Sequence, residues 1–252
     1  MRIVRFAHGE STAYGVLENT QVSVVDGSPF GTLALTGQRY PLGEVRLLAP
    51  VVPTKILGVG RNFAAGGESA EPSGDPLVFS KPPSSVVGDG AAIVLPACAG
   101  QVDFEGELAV VIGDQARHVS RERAYDVVFG YTITNDISAR EYQRSDGQWT
   151  RAKGFDTFCP LGPWIETELD PADLLVRTLV DGEVRQKGST ARLIHDIPRL
   201  IEWLSAVMTL EPGDVILTGT PEGTGPLAAG QTVTVAIEGL GKLVNPVENA
   251  KE

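Results

Sequence analysis

The sequence predicts a mainly β fold of the α+β class, with rolled sheets or a barrel as its core. Three observations lead to this prediction. Short runs of β-favouring residues recur along the chain, 29 glycines and 17 prolines separate them, and helical spacing of apolar residues is confined to two segments. At 252 residues the chain has the length of one principal hydrophobic core with a small appendage.

The N-terminal segment alternates short apolar runs with turn signals. Val16-Leu17 precedes Glu18-Asn19, and the apolar run at residues 22–25 is closed by Asp26-Gly27, a pattern typical of small strands joined by hairpins. Three prolines between positions 41 and 53 then indicate a connector. We therefore predict a small β-rich domain over residues 1–45 and a main domain over residues 46–252.

The main domain contains most of the predicted strands. They cover residues 56–59, 77–79, 92–95, 108–112, 127–132, 174–180, 215–217 and 232–237. Two helices are predicted. One spans residues 120–125, and the other spans residues 197–208, where Leu200, Ile201 and Leu204 recur at helical spacing.

Composition argues against several classes of function. The net charge of −11 opposes binding to nucleic acid, and no basic cluster offsets it locally. No apolar run is long enough to span a membrane, and the N-terminus resembles a first strand rather than a signal peptide. We therefore expect a cytoplasmic protein without membrane association. Cys98 and Cys159 fit no metal or redox spacing, and we interpret both as buried free thiols.

Two glutamates at the head of an apolar strand are the first candidate functional residues. Glu105 and Glu107 are two apart, so both carboxylates point to the same face of the strand. Such a pair often lies on the solvated face of an edge strand. Here the residues that follow, 108–112, are wholly apolar and predict a buried strand, where unpaired carboxylates are costly. A cation between the two carboxylates would resolve the repulsion.

Asp136 is the third candidate, because it stands at the end of the predicted strand that precedes Ile137-Ser138. An Asp in this position can also simply cap a following helical turn. Three carboxylates without a neighbouring His or Cys form a hard oxygen site, which favours Mg²⁺ or Mn²⁺, or Ca²⁺, over zinc.

Four segments of the chain resemble the fumarylacetoacetate hydrolase superfamily. They are FEGELAVVIG, GYTITNDISAREYQ, AKGFDTFCPLGPW and GDVILTGTPEGTG, they follow the family's order, and the resemblance extends from about Leu47 to Pro246. It implies a mixed β roll with a shallow metal site at its mouth, a Mg²⁺ or Mn²⁺ ion, and a homodimer. It does not select the reaction, because family members hydrolyse, decarboxylate, isomerise or hydrate oxo-acids.

The resemblance also implies roles for individual residues. Glu105, Glu107 and Asp136 fall on the family's metal ligands. Lys153 falls on a lysine that neutralises an enolate or a substrate carboxylate near the metal, although a lysine in this position could also be a surface residue.

Further positions match the family's substrate contacts. Arg140 and Gln143 match residues that orient substrate or support the acidic ligands, and Arg140 could equally be a structural ion-pair partner. Thr220 matches a loop that contacts a substrate carboxylate, although such a loop is often just a turn. Lys81 lies in a motif near the site and is the weakest of these matches.

The sequence departs from the family in one segment, the lid. Family hydrolases usually carry Asn-Tyr-x-x-His-x-x-Glu there, with the His and Glu activating water. This sequence has Phe63, Gly66 and Ser69 at the Tyr, His and Glu positions. Glu68 and Glu71 are the ionisable side chains of the stretch, and we take them as the candidate catalytic substitutes. The paired glycines make the segment a poor helix former.

These observations predict an enzyme that acts on a small 2-oxo or diketo acid through a metal-stabilised enolate. Cleavage of a carbon–carbon bond, by water or by loss of CO₂, is the leading hypothesis. Isomerisation or tautomerisation of a hydroxymuconate-type diacid gains support from the missing His, since general-base activation of water typically contributes about 10²–10⁴-fold. The third alternative is an oxo-acid-binding protein that has lost turnover.

Overall fold

The N-terminal segment forms an antiparallel meander at one end of a large sheet. The computed structural model describes residues 1–64 and 74–251. The meander consists of β1 (Arg2–His8), β2 (Ser11–Glu18), β3 (Gln21–Val25), β4 (Leu35–Pro41) and β5 (Arg46–Leu48). The domain boundary near residue 45 stays a prediction, and β1 pairs with a strand of the main domain through Arg2 opposite Glu166 and Ile3 opposite Ile165.

The main domain is also built largely of strands. They are β6 (Ile56–Gly60), β7 (Leu77–Lys81), β8 (Val86–Val87), β9 (Ile93–Leu95), β10 (Val102–Phe104), β11 (Gly106–Ile112), β12 (Val128–Asn135), β13 (Ser138–Ala139), β14 (Cys159–Glu166), β15 (Leu175–Val180), β16 (Glu183–Ser189), β17 (Val215–Leu217), β18 (Gly225–Pro226), β19 (Thr232–Ile237) and β20 (Gly241–Asn249). The predicted mainly β class is confirmed, and each predicted strand of the main domain overlaps an observed one.

Three sheets organise these strands. In the part of the chain that the structure describes, the large sheet runs β4-β3-β2-β1-β14-β12-β11-β17-β6-β7, with β5 beside β1 and β8 beside β14. The second sheet runs β16-β15-β19-β20-β9, and the third runs β13-β10-β18. The terminal strands of the large sheet, β4 and β7, do not pair with each other among these residues. The described strands therefore form open sheets, not a closed barrel.

Strand β11 is buried on both faces, which explains its continuous apolar sequence. Leu108, Val110 and Ile112 pack in a cluster with residues of β12, β15 and β19. Ala109 and Val111 point the other way, into a cluster with residues of β1, β14 and β17. Glu107 shares the face of Ala109 and Val111 because side chains alternate along a strand. The strand thus carries a carboxylate into the interior of the protein.

Three α-helices are present in residues 1–64 and 74–251: α1 (Arg140–Ser145), α2 (Thr150–Lys153) and α3 (Ile197–Val207). The prediction of α3 is confirmed, and the Asp196 side chain caps this helix by accepting the Arg199 N–H at 2.9 Å. The prediction of a helix at residues 120–125 is confirmed, and this helix is of the 3₁₀ type. A 3₁₀ helix spans Arg121–Val127, and short 3₁₀ turns also occur at Leu42–Glu44, Pro83–Ser85 and Thr190–Arg192.

Two further expectations can be compared with the structure. Cys159 is buried as predicted, but Cys98 is exposed, because it lies in the turn between β9 and β10 where the neighbouring Ala99 takes the buried position. Across the described ranges, no helix has the length and apolar character that a membrane crossing requires.

Candidate metal centre and active site

The register of two antiparallel strands brings the three predicted carboxylates together. Strands β11 and β12 pair with Gly106 opposite Asn135. The Asn135 side-chain oxygen accepts the Glu105 N–H at 2.9 Å, and the Glu105 carbonyl accepts the Asp136 N–H at 2.8 Å. As a result, one carboxylate oxygen from each of Glu105, Glu107 and Asp136 lies within 4.8 Å of the others.

Two buried lysines compensate part of this negative charge. The Lys153 ammonium donates to Glu105 Oε2 at 2.8 Å and to Asp136 Oδ2 at 2.5 Å. Lys81 donates to the other oxygen of Asp136 at 2.5 Å and to the Ile137 carbonyl at 3.3 Å. Burial alone would raise the pKa of Asp136, but the two ammonium groups hold it below its usual value. Asp136 is therefore ionised at neutral pH.

Lys153 is a cation in this setting. Burial lowers its pKa, yet the carboxylates of Asp136 and Glu105 outweigh burial and raise the pKa above the ordinary value. The ammonium also lies 4.7 Å from the centre of the Phe79 ring and 6.0 Å from that of Trp149, distances that suit cation–π attraction. The side chain can thus donate a hydrogen bond but is not a base at neutral pH.

Arg140 connects the site to a fourth carboxylate. Its guanidinium contacts Asp103 Oδ2 at 2.7 Å and Glu105 Oε1 at 2.6 Å, and donates to Gln143 Oε1 at 2.8 Å. The sequence left two roles open for Arg140: it could orient substrate or support the acidic ligands, or it could be a structural ion-pair partner. These contacts fit the ion-pair partner. They also orient Gln143, because its oxygen is engaged by Arg140 and its NH₂ group remains for another acceptor.

Glu107 differs from the other acids, because no cation contacts its carboxylate among residues 1–64 and 74–251. It accepts the Gly219 N–H at 2.7 Å. Burial raises the pKa of Glu107 well above its usual value, and the negative charges of Asp136 and Glu105 add to the rise, against the opposing effect of Lys153. An ionised carboxylate buried in this position destabilises the folded protein unless a further positive charge lies beside it.

The donor set fits a divalent cation. Asp103, Glu105, Glu107 and Asp136 are four buried carboxylates, whereas Lys81, Lys153 and Arg140 supply three positive charges. Hard oxygen donors without a thiol or imidazole are the ligands that Mg²⁺, Mn²⁺ and Ca²⁺ prefer. Glu105, Glu107 and Asp136 are the residues that would hold the ion.

A cavity of about 620 Å³ opens above these carboxylates. Its wall includes the three acids, Lys153, Arg140, Gln143 and Thr220, together with Phe63, Phe79 and Trp149. Two exposed arginines, Arg61 and Arg144, and the exposed Glu222 also line it. The volume suits a small ligand.

The structure places most of the predicted site residues around one space. Lys81 is different, since its side chain is fully buried behind Asp136 and contacts that carboxylate. The Thr220 hydroxyl donates to the Gly106 carbonyl at 2.8 Å, so its single proton is engaged within the protein. Glu68 and Glu71, the candidate catalytic residues of the lid, lie outside the described residues.

Sequence reasoning missed Arg61, Arg144, Glu222 and Phe79 on the cavity wall, and it missed three further residues that take part in the site. They are Asp103, which contacts Arg140, Trp149, which lines the cavity, and Gln186, which contacts Gly106 and Thr220. Asp103 had a visible signal, since it stands two residues before Glu105 in an alternating stretch, although the structure places it on β10 and not on β11.

Comparison with known families agrees with this geometry. The sequence model of the fumarylacetoacetate (FAA) hydrolase C-terminal family matches residues 55–248, and that of the Rv2993c-like N-terminal family matches residues 1–50. The chain belongs to the fumarylacetoacetate hydrolase family, as the sequence motifs predict. Members of this family are enzymes that act on small molecules.

Individual relatives cover most of the chain. Protein Rv2993c of Mycobacterium tuberculosis is 50% identical, over 98% of both chains. Oxaloacetate tautomerase YisK of Bacillus subtilis is 43% identical, over 82% of this chain and 75% of its own.

Solved structures show the same architecture. The structure of 5-carboxymethyl-2-hydroxymuconate delta-isomerase from Mycobacterium smegmatis superposes with a TM-score of 0.96 at 51% identity, over 99% of this chain and all of that one. Maleylpyruvate hydrolase from Sphingobium, solved with manganese(II) and pyruvate, has a TM-score of 0.83 at 35% identity, with both chains fully covered. The relatives thus include a tautomerase, an isomerase and a hydrolase.

Proposed function

We propose that this protein is a metal-dependent isomerase or tautomerase of a small dicarboxylic 2-oxo acid, with Mg²⁺ or Mn²⁺ held by Glu105, Glu107 and Asp136. The observation that carries the proposal is the charge that lines one cavity. Buried carboxylates and Lys153 form part of its wall, and two exposed cations, Arg61 and Arg144, form another part. A ligand with two anionic groups, one for the metal and Lys153 and one for an arginine, matches this lining.

The protein's own side chains would bind and orient the inner end of the substrate. The bound ion would supply Lewis-acid stabilisation of the negative charge that develops on the 2-oxo oxygen. Lys153 carries a positive charge and uses two of its three N–H groups on Glu105 and Asp136, so one remains for a substrate oxygen. Gln143 offers its NH₂ group to the same region, since Arg140 engages its oxygen.

Proton transfer within the substrate suits this site better than hydrolysis. Hydrolysis needs a base that activates an attacking water molecule, and such a base typically contributes about 10²–10⁴-fold. Isomerisation needs no attacking water, only a group that takes a proton from one atom of the substrate and returns it to another, and the Glu222 carboxylate on the cavity wall could serve as that group. Gly66 stands where family hydrolases have His, and the cavity wall contains no His among the described residues. Similarity to the tautomerase from Bacillus subtilis and to the delta-isomerase from Mycobacterium smegmatis supports the same choice.

The test follows proton exchange and bond cleavage in one experiment. The protein is loaded with Mn²⁺ or Mg²⁺ and mixed in D₂O with oxaloacetate, an acylpyruvate or a hydroxymuconate-type diacid, and NMR records deuterium uptake at carbon alongside every product. Enzyme-dependent deuterium uptake or double-bond migration without cleavage is the expected result. Metal without protein is the control for spontaneous decarboxylation. Cleavage products as the sole enzymatic outcome would overturn the proposal.

The arginines of the cavity wall allow an independent test of the dicarboxylate. Arg61→Gln and Arg144→Gln should each raise KM for oxaloacetate about 1.5- to 5-fold, the range that corresponds to exposed ion pairs of roughly 0.2–1 kcal/mol. KM for a monocarboxylic 2-oxo acid should change less. Arg123→Gln is the matched control, because Arg123 is exposed and paired with Asp126 outside the cavity. Equal changes for both acids would argue against a distal anion contact.

Hydrolysis of a carbon–carbon bond is the second candidate. It is supported by the similarity to maleylpyruvate hydrolase and by carboxylates that could replace the missing His, which are Glu68 and Glu71 in the lid and Glu222 on the cavity wall. The NMR experiment separates the two candidates by product identity. Binding of oxo-acids without any turnover would instead indicate a binding protein.

A further inference from the structure

Gln186 is a wholly buried amide on β16, and it uses its hydrogen-bonding groups on two separate parts of the active site. Its side-chain oxygen accepts the Gly106 N–H at 3.0 Å. Its NH₂ group donates to the Thr220 hydroxyl at 2.8 Å and to the Pro221 carbonyl at 2.7 Å. One side chain therefore joins residues 105–107, where β11 begins, to the loop that contains Thr220.

The donor and acceptor roles in these hydrogen bonds also determine the orientation of the Thr220 hydroxyl. Because the Gln186 NH₂ group can only donate, the Thr220 hydroxyl must accept from it and direct its own proton elsewhere. That proton goes to the Gly106 carbonyl at 2.8 Å. The Gly106 N–H and C=O are thus both held, one by Gln186 directly and the other by Gln186 through Thr220.

Packing leaves Gly106 little room to move. A Cβ atom built on Gly106 would lie 2.1 Å from Thr178 Oγ1 on β15, so the backbone approaches this strand more closely than any other residue type allows. The neighbouring loop residue Gly219 donates to Glu107 Oε2 at 2.7 Å. The positions of the strand, the loop and the Glu107 carboxylate are therefore linked.

We infer that Gln186 is a positioning residue for the candidate metal site. It sets the geometry of the Glu105–Gly106–Glu107 backbone and of the loop that orients Glu107, and it commits the Thr220 hydroxyl proton to Gly106 rather than to a substrate. The inference rests on the proposed metal site formed by Glu105, Glu107 and Asp136. It does not depend on which oxo-acid the enzyme converts.

Two substitutions of Gln186 distinguish the contributions of its three hydrogen bonds. Gln186→Glu keeps an acceptor for the Gly106 N–H but loses both donations to the loop, whereas Gln186→Met loses all three bonds. Substitution of groups that orient metal ligands typically lowers metal affinity about 10–100-fold, and we expect both variants to bind Mn²⁺ more weakly within this range in calorimetric titration. Hydrogen exchange at residues 104–108 should become faster in both.

Gln231→Glu is the matched control. Its side-chain oxygen also accepts a loop N–H, that of Ala228 at 2.8 Å, but Gln231 is not part of the cavity that the carboxylates line. Its Mn²⁺ affinity should equal that of the unsubstituted protein. If folded Gln186 variants keep full Mn²⁺ affinity and unchanged exchange at residues 104–108, the inference is overturned. These readouts need no substrate, so an error in the proposed reaction would not affect them.

A double-substitution cycle tests whether Gln186 acts on the Gly106 carbonyl through the Thr220 hydroxyl. This test stays informative if Gln186→Met folds poorly. Thr220→Val should reduce Mn²⁺ affinity in the same direction, and Thr220→Ser should restore it by returning the hydroxyl. Because the two residues share one hydrogen-bonded chain, the effects of Gln186→Glu and Thr220→Val should be less than additive. Fully additive effects, or a Thr220→Val variant with unchanged affinity, would rule out this route.

Discussion

The carboxylate of Glu107 accepts a hydrogen bond from the backbone N–H of Gly219 at 2.7 Å, and this bond joins β11 to the loop after β17. Glu107 as a residue is 2% exposed, and its carboxylate lies close to those of Glu105 and Asp136. Lysine and arginine side chains contact its two acidic neighbours but not Glu107 itself, within the described residues. The uncompensated charge marks the place where an added cation would have most effect.

Glu107→Gln should therefore abolish or greatly weaken metal binding while leaving the fold intact. The amide is nearly isosteric and neutral, so it removes a ligand and also removes a buried charge whose pKa is raised by burial and by neighbouring carboxylates. We expect thermal unfolding in a chelator to occur at the same or a higher temperature than in the unsubstituted protein. Calorimetric titration with Mn²⁺ measures the affinity, and an unchanged Kd would contradict the assignment of Glu107 as a ligand.

Lys153→Met should lower kcat far more than it lowers metal affinity. The ammonium contacts Glu105 and Asp136, so its removal makes the acidic cluster more negative and should keep Mn²⁺ affinity constant or increase it. The substrate oxygen loses its donor at the same time, so turnover should fall by at least about tenfold, on the scale of a charge-assisted hydrogen bond of about 1.5–3 kcal/mol. Steady-state kinetics with saturating Mn²⁺ measure the effect. A kcat within a few fold of normal would limit Lys153 to a structural role.

The sequence predicts the carboxylates of the site better than it predicts their surroundings. Alternation at the start of one strand already predicts Glu105 and Glu107 on one face, and the end of the neighbouring strand β12 brings the buried Asp136 beside them. The contact of Gln186 with Gly106, in contrast, joins residues 80 positions apart, and it depends on how two sheets pack. Helices α1 and α2 were also missed, because six and four residues are too short to show periodicity.

His195 should make the folded protein less stable as the pH falls. Burial lowers its pKa from 6.5, and the positive charge of Arg199 lowers it further, against the opposing effects of Asp75 and Asp196. The unfolded chain therefore binds a proton more readily than the folded protein at pH values below about 6.5, and the free energy of unfolding decreases there. His195→Gln should reduce this decrease in urea titrations at pH 7.5 and about pH 5.5.

The matched control for this pH effect is His118→Asn. His118 is exposed and has a φ of 52°, a conformation that Asn tolerates well. The control should show the same pH dependence as the unsubstituted protein. A His195→Gln variant with an unaltered pH dependence would show that other groups cause the acid sensitivity.

The lid segment decides between the two candidate reactions, since Glu68 and Glu71 are its ionisable residues and the family His is replaced by Gly66. If the protein is an isomerase or tautomerase, no water has to be activated, and the Glu222 carboxylate on the cavity wall is available to move the substrate proton. The double variant Glu68→Gln/Glu71→Gln should then keep kcat within about tenfold, whereas Glu222→Gln should lower it by about 10²–10⁴-fold. Reactions in H₂¹⁸O give an independent measurement, provided that label is scored in the carboxylate of any cleaved product, since 2-oxo oxygens exchange with water spontaneously. An inactive double variant, together with ¹⁸O in the carboxylate formed by the native protein, would establish hydrolysis with a substituted base. Full activity of the double variant without label would leave proton transfer as the reaction.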